Sequence, residues 1–300
     1  MQPRTAFIGA GRLAGAVTRG LVRAGWPVVA VASTRLDGAA ALASHLPGCT
    51  PMSPQGAVDA AELVFLTVPD HAIVQVAAGL RWRPGMGVVH TSGATEIAAL
   101  SPAAAQGART GGFHPMQNFA DPETALRDLP GSTVAIEAPP ELAATLQRIA
   151  TILGLNVITL PSGARPLYHA AANFAAPFLD VLIDEAVRIW GAFGVPPEAA
   201  LPAFTKLARN ALNAIEHDGT IGALVGPVSR GDVETVERHI AALRQMPDSE
   251  TRRLYEAFVL REIPLAMQKH GLTEEQANAM RTLADGEVGL EADAERLPTT

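Results

Sequence analysis

Residues 4–15 read RTAFIGAGRLAG, a short apolar run that ends in a glycine-rich turn. The apolar run predicts a buried strand, and after the turn Leu13, Val17 and Leu21 recur at helical spacing. A strand, a glycine turn and a helix in this order bring the free amides of a helix N-terminus close to a pyrophosphate. The sequence therefore predicts that a dinucleotide is bound by Gly9, Gly11, Arg12 and Leu13. A plain tight turn is the alternative.

The first half of the chain alternates strand patterns with helix patterns. Short β-branched runs are separated by Ala- and Leu-rich windows with helical spacing, which is typical of a doubly wound parallel sheet of the Rossmann type. The predicted strands are residues 4–9, 28–33, 62–68, 87–91, 109–113, 132–137 and 156–160.

The second half has no strand pattern and is predicted to be all α. Apolar residues recur at helical spacing over 165–190, which indicates one long helix broken or bent near Pro177. Its apolar face is longer than a small domain needs to bury, so we expect a homodimer through this half. Further helices are predicted at 197–217, 232–246, 249–270 and 273–284. The predicted domains are 1–162 for nucleotide binding, 163–290 for substrate binding and dimerisation, and 291–300 as a tail.

The composition excludes several kinds of partner and site. The 300 residues have a formal net charge of −7, without the stripe of Lys and Arg that nucleic-acid binding requires. The apolar runs are too short or too interrupted for a spanning helix, and the N-terminus does not resemble a secretion signal. Cys49 is the only cysteine, and the His and carboxylate residues lack metal-ligand spacing, so no metal is predicted. We expect a cytoplasmic protein with no nucleic-acid or membrane partner.

The end of the second predicted strand indicates which cofactor is bound. An NAD site places an Asp or Glu there, whereas an Arg beside hydroxyl groups suits the 2′-phosphate of NADP. The chain has Ser33, Thr34 and Arg35 at this place, so NADP is predicted. Asp37 is the residue that disagrees, and it is interpreted as a cap of the next helix. Val68 and Pro69, after a later strand, are predicted to line the same crevice.

Polar residues near the predicted crevice are candidates for substrate binding and catalysis. His169 and Asn173 are one helical turn apart and share a face. Ser92 and His114 each follow a predicted strand, and Arg230 has the guanidinium geometry that clamps an anion. Three of these residues have a structural alternative: Ser92 as a turn hydroxyl, His114 as a turn donor and His169 as a core histidine. Asp70 and Asp232 are interpreted as helix caps.

Six motifs occurring in order resemble a known family of Rossmann-like oxidoreductases, whose members carry the C-terminal helical domain of unknown function 2520. That family is similar in layout to pyrroline-carboxylate reductases, ketopantoate reductases and β-hydroxyacid dehydrogenases. In the last two groups the first helix of the second domain places a Lys and, one turn later, an Asn in the active site. The resemblance implies that His169 and Asn173 take these positions here. The motifs are GAGRLA at 9–14, FLTVPD at 65–70, HTSG at 90–93, HPMQ at 114–117, LYHAAA at 167–172 and GPVSRGD at 226–232.

The leading hypothesis is an NADP-dependent oxidoreductase that reduces a small carbonyl or imine compound in the cleft between the domains. His169 would be the general acid, with Asn173 and Ser92 orienting the substrate. His114 or Arg230 would bind an anionic group of that substrate. One alternative is a 2-oxo acid reductase like ketopantoate reductase. The other is a non-catalytic NADPH-binding sensor or partner protein, which is favoured by the absence of a lysine at position 169.

Overall fold

A computed structural model describes residues 1–285 of the chain. These residues form two compact units, Met1–Ala176 and the residues from Pro177 onward. The predicted tail at 291–300 and the end of the predicted second domain lie outside the described residues. Within 1–285, none of the helices combines the length and the apolar character needed to cross a membrane.

The first unit contains one eight-stranded sheet, in the order β3-β2-β1-β4-β5-β6-β7-β8. All strand pairs are parallel except β6 with β7, which is antiparallel. The strands β2 and β4 lie on opposite sides of β1, so the order reverses beside the glycine-rich turn. Such a reversal opens a crevice at the carboxyl ends of the strands. The strands are β1 Thr5–Ile8, β2 Val28–Ala32, β3 Thr50–Met52, β4 Leu63–Leu66, β5 Gly87–His90, β6 Arg109–Met116, β7 Thr133–Glu137 and β8 Asn156–Thr159.

Helices cover both faces of this sheet, which confirms the doubly wound prediction. The helices of this unit are α1 Arg12–Arg23, α2 Leu36–Ala43, α3 Pro54–Ala60, α4 Ile73–Gly79, α5 Ser101–Ala104, α6 Pro122–Arg127, α7 Pro140–Ile152 and α8 Arg165–Ala175. One buried cluster joins the sheet to α1, α2, α6 and α7, and the other joins it to α3, α4 and α5. Phe65 lies at the centre of the first cluster, stacked on Phe7 at 4.9 Å and edge-on to Phe113 at 5.7 Å.

Two strand predictions differ from the structure. The edge strand β3 was not predicted, because it has three residues, one of them Pro51, and proline is tolerated only at such edges. The strand β6 extends to Met116, three residues beyond the predicted end at Phe113, so His114 lies inside a strand. Its antiparallel pairing with β7 also departs from the fully parallel sheet that was predicted.

The predicted helix over 165–190 is broken near Pro177, as one of the two predicted alternatives had it, and so forms two helices. α8 ends at Ala175, Ala176 has the non-helical dihedrals φ −129° and ψ −80°, and a new helix begins at Pro177. The division between the compact units falls at this break, since α8 is anchored in the first unit through Arg165. The predicted division into nucleotide-binding and substrate domains at residues 162/163 stays a prediction.

The second unit is helical throughout its described part. Its helices are α9 Pro177–Gly191, α10 Pro197–Gly222, α11 Val233–Leu243, α12 Ser249–Gln268 and α13 Glu274–Asp285. Its core is formed by residues of α11, α12 and α13, among them Val236, Ile263 and Met280. The Asp232 carboxylate accepts a hydrogen bond from the Thr235 amide at 3.0 Å, which confirms its predicted role as the cap of α11.

Candidate functional site

A cavity of about 500 Å³ opens at the carboxyl ends of the strands β1, β2 and β4. It lies at the reversal point of the sheet, where a dinucleotide binds in folds of this kind. Six of the nine predicted cofactor residues line it: Gly9, Gly11, Ser33, Thr34, Val68 and Pro69. Arg12, Leu13 and Arg35 are not among its lining residues.

The glycine-rich turn has the properties that a pyrophosphate site needs. Gly9 has φ +116°, and a Cβ at this position would collide with the carbonyl oxygen of Thr67. The Thr67 hydroxyl donates to the Gly9 carbonyl oxygen at 2.8 Å, which holds the turn against the neighbouring strand end. Gly11 is the N-cap of α1 and provides no side chain to cap the first amides of the helix. Those amides are left for an anionic ligand, so the residues present fit a dinucleotide.

Arg35 and Asp37 form an exposed ion pair beside this cavity wall. Arg35 Nη2 lies 2.5 Å from Asp37 Oδ2, and Nε donates to Oδ1 at 3.1 Å. The hydrogen bond from Arg35 lowers the pKa of Asp37, and the same bond raises the pKa of Arg35. The interpretation of Asp37 as a helix cap was wrong, because the N-cap of α2 is Arg35 and Asp37 bonds mainly to that arginine.

Polar side chains converge where β5, β6 and α8 meet. Ser92 follows β5, and its hydroxyl donates to Asp70 Oδ2 at 2.7 Å while accepting from the Thr95 amide at 3.0 Å. Asp70 is therefore the partner of Ser92 and not the helix cap that was predicted; Pro69 is the N-cap there. Because Pro69 lines the cavity, this bond joins the polar cluster to the wall of the cofactor crevice. The predicted contact of Ser92 with substrate stays a prediction.

Two histidine rings meet over Gly93. The ring centroids of His114 and His169 are 6.0 Å apart. A Cβ at Gly93 would lie 2.5 Å from His169 Cδ2 and 2.9 Å from His114 Nε2. Burial, His169 and the positive charge of Arg165 lower the pKa of His114 to about 4. The absence of a side chain at Gly93 thus lets both imidazoles reach the same space.

Other predicted residues are placed as follows. Asn173 lies on the same helix as His169, and its Nδ2 donates to the His169 carbonyl oxygen at 2.9 Å. Arg230 belongs to the second unit, where it is exposed at the end of a 3₁₀ turn at Val228–Arg230. The structure does not test the roles assigned to these residues, which stay predictions.

Two residues of the cluster were missed by the sequence analysis. The Tyr168 hydroxyl lies 2.8 Å from His114 Nδ1. Arg165 is completely buried; its Nε donates to Glu137 Oε2 at 2.8 Å and its Nη1 to the Ser92 carbonyl oxygen at 2.8 Å. Tyr168 stood within a quoted motif and could have been named. Arg165 carried no signal, since an arginine is rarely buried and its partner lies in a distant strand.

Comparisons with known proteins agree with this arrangement. Residues 4–92 match the model of NADP oxidoreductases described as coenzyme F420-dependent. Residues 132–262 match the domain of unknown function DUF2520. The predicted oxidoreductase with a DUF2520 domain is confirmed. The same matches confirm the prediction that the cofactor is NADP. No curated protein matches the chain.

Solved structures share the fold. A candidate NADP oxidoreductase of Bacteroides fragilis is 26% identical with a TM-score of 0.66, covering 87% of this chain and 97% of its own. Protein TM1727 of Thermotoga maritima is 24% identical with a TM-score of 0.74, covering 89% of this chain and 99% of its own. A pyrroline-5-carboxylate reductase of Coxiella burnetii is 16% identical with a TM-score of 0.58, covering 90% and 99%.

The close approach at Gly9 gives a test of the cofactor site. The variant Gly9→Ala is expected to raise the Kd for NADPH at least about tenfold, because the new Cβ displaces the turn from Thr67. Titration of NADPH fluorescence measures this. Gly25→Ala is the matched control, since Gly25 also has a positive φ, +76°, but a Cβ there meets nothing within 4 Å. An unchanged Kd in Gly9→Ala would contradict the assignment of the turn.

Proposed function

We propose that the protein reduces a small carbonyl or imine compound with NADPH. The observation that carries the proposal is the pair of imidazoles, His114 and His169, which converge over Gly93 beside the cofactor crevice. Neither His114 Nε2 nor a ring nitrogen of His169 has a hydrogen-bond partner within residues 1–285. Such nitrogens are the groups that can bind and protonate a substrate heteroatom.

NADPH supplies a hydride when it is bound, and the chain's own residues must then handle the proton and the developing charge. The heteroatom of a reduced C=O or C=N group gains electron density and needs a proton. His169 is proposed to give that proton as the general acid. Asn173, one turn later on α8, and Ser92, which follows β5, are proposed to orient the substrate.

The charge of the site favours a small substrate whose reacting group is neutral. Arg165 is buried, and its charge is paired with Glu137. A carboxylate on the substrate would therefore need a cation other than Arg165. The pyrroline-5-carboxylate reductase of similar fold acts on a cyclic imine that carries a carboxylate, which supports imines as well as oxo acids for a first panel.

The role of His169 predicts a large kinetic effect. His169→Ala is expected to lower kcat about a hundredfold with little change in the Kd for NADPH, since only the proton donor is removed. His169→Lys should retain more activity, because an ammonium can also protonate the product. NADPH oxidation with a panel of oxo acids and cyclic imines measures both, with the exposed His45→Ala as control. Full activity in His169→Ala would remove the acid role. NADPH binding without turnover on any compound would favour the non-catalytic sensor.

The position of Arg35 predicts that the protein binds NADPH more tightly than NADH. Arg35→Ala is expected to raise the Kd for NADPH at least about tenfold and to leave that for NADH unchanged, because only NADPH has the 2′-phosphate. Asp37→Ala should tighten NADPH binding, since it releases the Arg35 guanidinium from its ion pair. Both effects should shrink at high salt, as the pair is exposed. Equal losses for NADPH and NADH in Arg35→Ala would contradict a 2′-phosphate contact.

We also propose that two copies of the chain associate through α9 and α10. No residue of α9 is buried, and Ala200 is the one buried residue of α10. Isolated helices gain most of their stability from packing an apolar face, so these two helices need a partner surface. A second copy is the simplest partner, because soluble oligomers are mostly symmetric homodimers. Exposed apolar residues of the face are Val181, Leu201, Leu207, Leu212 and Ile215.

Light scattering should therefore give twice the 31.3 kDa of one chain. Leu212→Glu is expected to shift the protein toward the monomer, because it places a charge in the apolar face. Val74→Glu changes an equally exposed residue of α4 and should leave the mass unchanged. A wild-type monomer would contradict the proposal.

A further inference from the structure

Both tyrosines of the chain hydrogen-bond to a histidine with the same geometry. The Tyr168 hydroxyl lies 2.8 Å from His114 Nδ1, and the Tyr255 hydroxyl lies 2.8 Å from His239 Nδ1. The rings are nearly perpendicular in each pair, with centroids 5.6 Å and 5.8 Å apart. The partner of one ring nitrogen decides which nitrogen carries the proton. Each tyrosine therefore sets the tautomer of its histidine.

The first pair is surrounded by groups that keep His114 neutral. Burial, His169 and Arg165 together lower its pKa to about 4, against the smaller opposing effect of Asp70. His90, also facing this cluster, is buried and has its own pKa lowered to about 4. Burial raises the pKa of Tyr168, so the phenol keeps its proton. At neutral pH the pair thus holds one imidazole proton and one phenol proton.

The placement of these two protons follows from the donors and acceptors present. If the phenol donates to Nδ1, the phenol proton has an acceptor and the imidazole proton is on Nε2. If Nδ1–H donates instead, the phenol proton has no acceptor within the described residues. A phenol is also the more acidic of the two donors. The first arrangement is favoured, and it leaves Nε2–H as a donor.

The Nε2 edge of His114 faces the space above Gly93. A Cβ on Gly93 would lie 2.9 Å from Nε2, so a larger residue would block this edge. The His169 ring borders the same space, its Cδ2 lying 2.5 Å from that Cβ position. The two rings thus occupy the space that a side chain at position 93 would take, and the glycine is what allows them to lie close together.

We propose that His114 is a neutral hydrogen-bond donor that polarises the substrate through Nε2–H, and that Tyr168 is the positioning residue that fixes this tautomer. The inference rests on the proposed reductase and assigns a second role beside the proton donor His169. No bond to hydrogen breaks at His114; its N–H strengthens its contact as charge develops on the substrate heteroatom. Neutral imidazole serves other enzymes in this electrophilic role.

The inference also restricts the substrate class. An N–H donor binds a lone pair, of which a carbonyl oxygen has two and an unprotonated imine nitrogen has one. In an imine, that one lone pair would accept from His114, and the second lone pair, formed on nitrogen when hydride adds to the carbon, would take the proton from His169. A protonated iminium has no lone pair at nitrogen and presents a hydrogen to the donor instead. The site therefore selects the neutral form of the C=O or C=N compound.

Nitrogen NMR of histidine-labelled protein without cofactor tests the tautomer directly. We expect His114 to show protonated Nε2 and unprotonated Nδ1 from pH 6 to 8, with its titration centred near pH 4. Tyr168→Phe removes only the hydroxyl and should yield a mixture of tautomers. Tyr255→Phe, the matched control, should change His239 and leave His114 as it is. A His114 with protonated Nδ1, or one unaffected by Tyr168→Phe, would overturn the inference.

Kinetics on an accepted substrate give a second readout. Tyr168→Phe is expected to lower kcat about tenfold with little change in KM, since the bound substrate is polarised less well. His114→Leu should lose about a hundredfold or more, as in the removal of one oxyanion donor, whereas His114→Gln keeps an N–H and should retain more. Equal losses in His114→Leu and His114→Gln would contradict a donor role.

A correct tautomer without turnover on any panel compound would count against the reductase and not against the pairing. Turnover by a protein whose His114 carries its proton on Nδ1 would count against the pairing and not against the reductase.

Discussion

The arrangement of the site depends on one buried guanidinium. Arg165 lies at the beginning of α8, and it bonds to Glu137 at the end of β7 and to the carbonyl oxygen of Ser92 after β5. By strand register, Glu137 pairs with Gly112, and Gly112 pairs with His90. A Cβ at Gly112 would lie 2.6 Å from Arg165 Cζ, so the glycine makes room for the side chain. One residue thus attaches the helix that carries Tyr168 and His169 to three adjacent strands.

The same guanidinium sets the protonation of the histidines around it. A buried charge is tolerated only when it is paired, and the removal of one partner from such a pair costs roughly 3–5 kcal/mol. Glu137 balances Arg165 in total charge, yet Arg165 still lowers the pKa of both His90 and His114. Burial acts on both rings in the same direction. His90 and His114 are therefore neutral imidazoles at neutral pH, and the tautomer of each decides which of its ring nitrogens can donate a hydrogen bond.

The sequence predicted those parts of the fold that depend on residues close together in the chain. The glycine turn, the Ser33-Thr34-Arg35 segment and seven of the eight strands were readable because strand periodicity and turn chemistry are local. The bond between Asp70 and Ser92 joins residues 22 positions apart, and that between Arg165 and Glu137 joins residues 28 apart. Such contacts require the register of the sheet, which no local pattern contains. The antiparallel pairing of β7 was missed for the same reason, and with it the position of Glu137.

The histidine at position 169 is consistent with this electrostatic setting. The resemblance to the dehydrogenase families implies a lysine there, whose ammonium would stabilise a developing alkoxide. In this chain such an ammonium would stand one helical turn after Arg165 and against the His114 ring, which would place two cations in a partly buried site. Like charges close together are unfavourable where water screens them poorly. Unlike an ammonium, an imidazole exchanges between a charged and an uncharged form near neutral pH, so His169 can give a proton to the substrate without adding a second permanent cation beside Arg165.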